Sequence, residues 1–153
     1  MVSRLRFSDA LVLDAGPDQV WDLLLDVDRF AACVPGVQHV SRVDERTFDG
    51  AILASVGPMS GTFSFRATIV DSQPLEALAA RVHGTDSVTH SAVEADMQMR
   101  LAPLAAQQTQ LRYETTVEVN GRLALLGDML LRATGTVMLR EFGARLRRQL
   151  ADG

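Results

Sequence analysis

The chain has 153 residues, a formal net charge of −4 and a hydrophobic content of 47%, which together fit a globular protein with a sizeable core. The acidic balance excludes the basic footprint of a nucleic-acid-binding protein. A single cysteine, Cys33, excludes an internal disulfide. The N-terminus lacks the apolar core of a signal peptide, and no apolar run approaches the ~18 residues of a membrane helix. We therefore expect one cytoplasmic domain over residues 1–153.

The first part of the chain predicts one strand followed by two short helices. Leu5 and Phe7 alternate with polar residues, as in a half-buried strand. Pro17 suits the first turn of a helix, and an apolar stripe follows it as far as residue 25. A second helical segment over residues 26–33 ends at a Pro-Gly turn.

Six strands are predicted next, each with apolar residues on alternate positions. They cover residues 37–43, 48–56, 62–69, 78–82, 93–101 and 111–119. Turn residues separate neighbouring strands, as at Gly57-Pro58 and Gln73-Pro74. Short turns favour an antiparallel meander, and the single apolar face predicts a sheet with one solvent-exposed side.

Residues 123–150 are predicted to form a long amphipathic helix that is continuous at least over residues 124–148. Its predicted apolar face consists of Leu123, Leu126, Leu130, Thr134, Val137, Met138, Glu141, Phe142 and Leu146. Small residues at 133–136 lie on or beside this face, which suits a cavity wall as well as a plain core helix. Only this helix is long enough to cover the apolar side of the sheet, and the gap between the two is a natural ligand cavity.

No catalytic or metal-binding motif is found in the sequence. His39, His83 and His90 lie on different segments without metal-ligand spacing. Cys33 has no His or Lys close in sequence to lower its pKa, so we interpret it as structural. We expect neither a metal nor a cofactor.

The predicted cavity lining is mostly apolar with few polar points, as is typical of small-molecule sites. The alternative is that these residues pack a closed core. The predicted lining residues are Phe48, Phe63, Phe65, Met97, Met99, Leu111, Tyr113, Thr115, Leu130, Thr134 and Met138.

Four short motifs, in this order and spacing, resemble the CoxG family of carbon monoxide dehydrogenase subunits, which belongs to the START-like, SRPBCC superfamily. They are P-D-Q-V-W-D-L-L-L-D at 17–26, C-V-P-G at 33–36, V-G-P at 56–58 and N-G-R-L-A-L-L-G at 120–127, with Phe142 near the end of the last helix. The resemblance implies an α+β helix-grip fold, also called Bet v 1-like. In that fold a seven-stranded antiparallel sheet curves around a long C-terminal helix.

The resemblance also implies an accessory role beside a molybdenum-containing carbon monoxide dehydrogenase or related hydroxylase, in electron transfer, membrane recruitment or assembly. The leading hypothesis is a non-enzymatic protein that binds a hydrophobic small molecule, with a quinone or lipid-like molecule as candidate ligand. Longer family members carry a membrane-binding tail, whereas this chain ends directly after the predicted helix. We therefore expect membrane contact to be peripheral at most, at the inner face of the cell membrane. Homodimerisation is left open.

Two other functions are compatible with the same fold. The superfamily also contains cyclases and dehydratases, which need an acid–base pair inside the cavity. Tyr113, Thr115, Thr134 and Glu141 are the candidates for such a pair. The third hypothesis is an assembly factor that docks on the hydroxylase without a ligand.

Overall fold

The computed structural model describes residues 2–152. Within them the element order is a strand, two short helices, six strands and a long helix, as predicted. The elements are β1 (Val2–Leu13), α1 (Pro17–Leu25), α2 (Val27–Cys33), β2 (Val37–Arg42), β3 (Thr47–Val56), β4 (Met59–Gln73), β5 (Ala77–Asp86), β6 (Ala92–Ala105), β7 (Gln108–Asn120) and α3 (Asp128–Asp152), with a 3₁₀ turn at Arg122–Leu126.

The seven strands form one curved sheet in which every neighbouring pair is antiparallel. Their order is β1-β7-β6-β5-β4-β3-β2, so β2 to β7 form a meander and β1 joins it beside β7. The predicted α+β helix-grip fold is therefore confirmed. Ion pairs such as Arg66–Asp49 and Arg81–Asp96 lie on the exposed outer face of the sheet, where they add little stability.

The first of two hydrophobic clusters packs α1 and α2 against the C-terminal half of α3. Trp21 and Leu23 of α1 meet Leu111 of β7 and Leu146 of α3, and all four are buried. Each fully buried side chain of this kind contributes about 1.5–3 kcal/mol. This cluster fixes one end of α3.

The second hydrophobic cluster lies at the N-terminal half of α3. Leu5 of β1, Val119 of β7, Leu123 of the 3₁₀ turn and Leu131 of α3 are its buried members. The turn between β3 and β4 closes over this end, because a side chain at Gly57 would meet Leu130. The two clusters therefore hold α3 at both of its ends.

The prediction of one helix over residues 124–148 is wrong at its start. Residues 122–126 form a separate 3₁₀ turn, and α3 begins only at Asp128. Gly127, with φ of 90°, separates the two because this left-handed backbone cannot continue a right-handed helix. The predicted helix phase, carried across this break, is shifted as a result. Val137 is 64% exposed, whereas Leu131, which was not included in the predicted face, is buried.

Two glycines bring α3 close to β1. A Cβ at Gly135 would lie 2.5 Å from Cζ of Phe7, and a Cβ at Gly143 would lie 3.2 Å from Cδ1 of Leu11. The aromatic ring of Phe7 thus occupies the space that a side chain at position 135 would need. The phase of α3 follows from these two contacts.

Gly135→Ala is expected to lower the free energy of unfolding by about 1–3 kcal/mol, because the new methyl group overlaps the Phe7 ring. Alanine is the better helix former by about 1 kcal/mol, so the loss has a packing cause. In a Phe7→Leu background the same substitution should become neutral or stabilising. Urea unfolding of the four proteins measures this coupling, and Gly143→Ala is the matched control with the looser contact. Additive effects of the two substitutions would contradict the packing explanation.

A buried carboxylate organises the turn between β5 and β6. Asp86, 4% exposed, accepts hydrogen bonds from the backbone N–H groups of Val88 (3.2 Å) and Thr89 (2.8 Å) and from the Thr89 hydroxyl. The hydroxyl of Ser91 accepts the N–H of Leu123 at 2.9 Å, which ties this turn to the 3₁₀ turn before α3. Burial by itself raises the pKa of Asp86, but the hydrogen bonds from Thr89 and Val88 outweigh it and hold that pKa below its usual value.

Asp86→Asn is expected to lower the free energy of unfolding by about 1–3 kcal/mol near pH 7, because a charged acceptor of three hydrogen bonds is lost. The folded pKa is lower than the unfolded one, so the stabilisation is present above pH ~4 and is lost as the pH falls through the folded pKa. Denaturant unfolding from pH 7 to pH 2 should show wild type and variant converging. Glu76→Gln, at an exposed position, is the control that should show no such convergence.

Candidate functional site

A strip of half-buried residues separates the two hydrophobic clusters, and we call it the central strip. Its members lie on the inner face of the sheet or on the adjoining side of α3, and they belong to neither cluster. They are Phe48, Phe65, Ala67, Val82, Ala95, Thr134 and Met138. Strand register places Phe48, Ala67, Val82 and Ala95 side by side across four strands. Both ends of the interior are thus closed by buried side chains, while the middle keeps accessible apolar surface.

Phe65 covers the sheet at one edge of the central strip. Gly50 and Gly84 are its cross-strand neighbours. A Cβ at Gly50 would lie 2.6 Å from Cζ of Phe65, and one at Gly84 would lie 3.2 Å from its Cβ. The two glycines therefore let the aromatic ring lie down on the sheet, which keeps it out of the space below α3.

The polar groups of the inner face are concentrated where β7 meets β1. Thr115 is 7% exposed, and its hydroxyl has no hydrogen-bond partner among residues 2–152. Tyr113 precedes it on the same face, opposite Asp9 of β1. Burial, and secondly the Asp9 carboxylate, raise the pKa of Tyr113, so its phenol stays protonated at neutral pH.

The polar side chains of α3 are already engaged. Thr134 donates its hydroxyl proton to the carbonyl of Leu130 at 3.0 Å. Glu141 accepts hydrogen bonds from Arg145 at 2.9 Å and from Arg148 at 3.3 Å, so its predicted pairing with Arg145 is confirmed. The hydrogen bond from Arg145 is the main reason why the pKa of Glu141 lies below its usual value. Glu141 is thus an ion-paired carboxylate, with little basicity for proton transfer.

Two shallow grooves occur on the surface near α2. One, of about 350 Å³, is lined by Glu141, Arg148 and Ala32. The other, of about 640 Å³, lies between the α1–α2 junction and β2 and includes Arg42. The guanidinium of Arg42 lies 5.0 Å from the ring centroid of Phe48. The larger groove therefore borders the central strip at its β2 edge.

The predicted lining residues are distributed over three environments. Phe48, Phe65, Thr134 and Met138 belong to the central strip. Met99 and Leu111 are buried in the first cluster, with Met97 and Tyr113 packed against it, and Phe63 and Leu130 pack against the second cluster. Thr115 lies between the two clusters in a cross-strand row with Phe7 and Met97.

Sequence reasoning did not include Val82, Ala95 or Asp9 among the lining residues. Val82 and Ala95 were on the apolar side of their predicted strands, but only the register shows that they adjoin Ala67 and each other. Asp9 interrupts the apolar alternation of β1 between Phe7 and Leu11. That interruption was the available signal of a polar point on the inner face.

The three histidines do not converge. His39, His83 and His90 are all exposed, and His83 Nδ1 lies 3.3 Å from Glu94 on the outer face. Within residues 2–152, no group of three or more His, Cys, Asp or Glu side chains is arranged to hold a metal ion. In the same part of the chain, no helix combines the length and apolar character needed to cross a membrane.

Cys33 is completely buried at the end of α2, so its interpretation as a structural residue is confirmed. Its thiol donates a hydrogen bond to the carbonyl of Arg29 at 3.4 Å. Burial raises the pKa of the thiol despite the neighbouring guanidinium groups of Arg145 and Arg29. The neutral thiol is therefore part of the first cluster and is not a nucleophile.

Solved structures place the fold in the START-like class. A conserved protein from Geobacillus kaustophilus is 20% identical, with a TM-score of 0.90 over 97% of this chain and 96% of that one. A START superfamily protein from Mycobacterium smegmatis is 12% identical, with a TM-score of 0.70 over 96% and 97% of the two chains. The ZhuI aromatase/cyclase from Streptomyces sp. R1128 is 17% identical, with a TM-score of 0.69 over 97% and 94%. At these identities the likeness concerns the fold alone.

The family follows from the sequence. Residues 12–151 match the family model for CoxG, the G-type subunit of carbon monoxide dehydrogenase, and the chain belongs to that family. The curated proteins compared with the chain include no match.

Proposed function

We propose that this protein is a non-enzymatic binding protein that holds an apolar small molecule between α3 and the sheet. The observation that carries the proposal is the central strip. Its side chains keep accessible apolar surface in the middle of the fold, although both ends of the interior are closed. Apolar surface of this kind gains free energy when a ligand removes it from water.

The composition of the strip favours a flat or adaptable ligand. Phe48 and Phe65 offer aromatic faces, Ala67 and Ala95 leave room beside them, and Met138 can change rotamer to follow the ligand. No charged side chain belongs to the strip as defined. A ring system such as a quinone, or the tail of a lipid-like molecule, matches these properties.

Membership of the CoxG family supports a specific setting for this binding activity. We propose that the protein serves a molybdenum-containing carbon monoxide dehydrogenase or a related hydroxylase, in electron transfer, membrane recruitment or assembly. Its ligand would be the molecule that links the enzyme to its electron acceptors or to the membrane surface.

The engaged state of the polar residues argues for binding over catalysis. General acid–base chemistry needs a group that can change protonation near neutral pH. Glu141 is held ionised by two arginines, and burial and Asp9 keep Tyr113 protonated. An aromatase/cyclase with a similar fold shows that the scaffold is compatible with enzymes, and a cyclase or dehydratase activity is the alternative function.

Filling the central strip should abolish ligand binding. Ala67→Trp introduces a large side chain between Phe48 and Val82, and it should weaken binding of a fluorescent naphthoquinone analogue at least about tenfold, which corresponds to ~1.4 kcal/mol. Fluorescence titration measures the affinity. Mass spectrometry of solvent extracts should find an apolar molecule in wild type and less of it in the variant.

Ser64→Trp is the matched control, since Ser64 is exposed and lies three residues earlier on the opposite face of β4. Its affinity should equal that of wild type. Equal binding by the Ala67→Trp protein would show that the probe binds elsewhere. Turnover of a polyketide-like or enone substrate that is lost in Glu141→Gln would overturn the non-enzymatic assignment.

A further inference from the structure

Thr115 presents a polar group that the fold itself does not use. Its side chain is 7% exposed, and its hydroxyl makes no hydrogen bond within the described part of the chain. A buried hydroxyl without a partner is destabilising, whereas valine would fill nearly the same volume without this cost. A threonine at this position therefore needs an explanation beyond packing.

The position of Thr115 points to the ligand space. Its cross-strand neighbours on the inner face are Phe7 on β1 and Met97 on β6, and both are half-buried. Ala80 follows Met97 in the same row. None of these neighbours offers a side-chain acceptor. The unbranched thioether side chain of Met97 can move aside and uncover the hydroxyl.

We propose that Thr115 is the polar anchor of the ligand site and donates its hydroxyl proton to a carbonyl oxygen of the bound molecule. This inference rests on the proposed function and deepens it. A carbonyl satisfies the single unpaired donor and brings no proton of its own into the apolar row. A ligand hydroxyl would form one hydrogen bond with Thr115 and leave a second donor unpaired. The preferred ligand is thus an apolar ketone or quinone-type molecule whose oxygen points to the β1–β7 edge.

Two probes of nearly the same shape test this assignment. In 2-acetylnaphthalene a carbonyl replaces the CH₂ group of 2-ethylnaphthalene, and both are fluorescent. Thr115→Val should weaken binding of the acetyl probe about three- to tenfold, the effect of losing one neutral hydrogen bond. The affinity for the ethyl probe should stay the same or rise. Thr115→Ser keeps the hydroxyl and should retain most of the discrimination between the probes.

The ligand-free protein gives an independent measurement. Thr115→Val should melt at or above the temperature of wild type, because an unpaired buried hydroxyl is replaced by a methyl group. An equal loss of affinity for both probes, or a marked fall in melting temperature, would assign Thr115 to packing and overturn the anchor role while the binding function stands. If wild type binds neither probe, and neither the naphthoquinone analogue, the proposed function fails and the anchor role fails with it.

Discussion

The close approach of α3 to β1 determines the shape of the interior. Gly135 admits the ring of Phe7 and Gly143 admits Leu11, so the helix axis is drawn toward one edge of the sheet. The first cluster then forms with α1 and α2 at one end of the helix, and the second with the 3₁₀ turn at the other. The middle of the sheet, on β3 to β6, is consequently left with less cover. Larger residues at 135 and 143 would alter the helix position and the size of the central strip together.

The described fold separates stability from binding in space. The residues that close the interior, such as Leu111 and Leu146, are completely buried, whereas Phe65 and Met138 keep accessible surface. A protein that stored its stability evenly over the interior would have to open its core to admit a ligand. Here the clusters can stay intact while the central side chains adjust, because packing losses are local to the groups that move.

The fold could be predicted from the sequence to a large extent, because period-two alternation and turn residues define strands locally. The same local signals could not place the start of α3, since the effect of Gly127 depends on its backbone angle and not on its neighbours. The helix phase was also out of reach, because it depends on a contact between Phe7 and Gly135, 128 positions apart in sequence. For the site, alternation showed which side chains face inward. It could not show that Met99 and Leu111 are enclosed by α1 and α3 while Phe65 is not.

The pairing of β1 with β7 has a consequence for the synthesis of the protein. Val2 lies opposite Asn120, so the first strand has no neighbour in the sheet until the last strand has been made. The inner face of the meander also stays uncovered until α3 leaves the ribosome. Non-local pairing of this kind slows folding and exposes apolar strands for a time. The nascent chain therefore presents a long apolar surface before it can close, and it is in this interval that the protein most depends on chaperones.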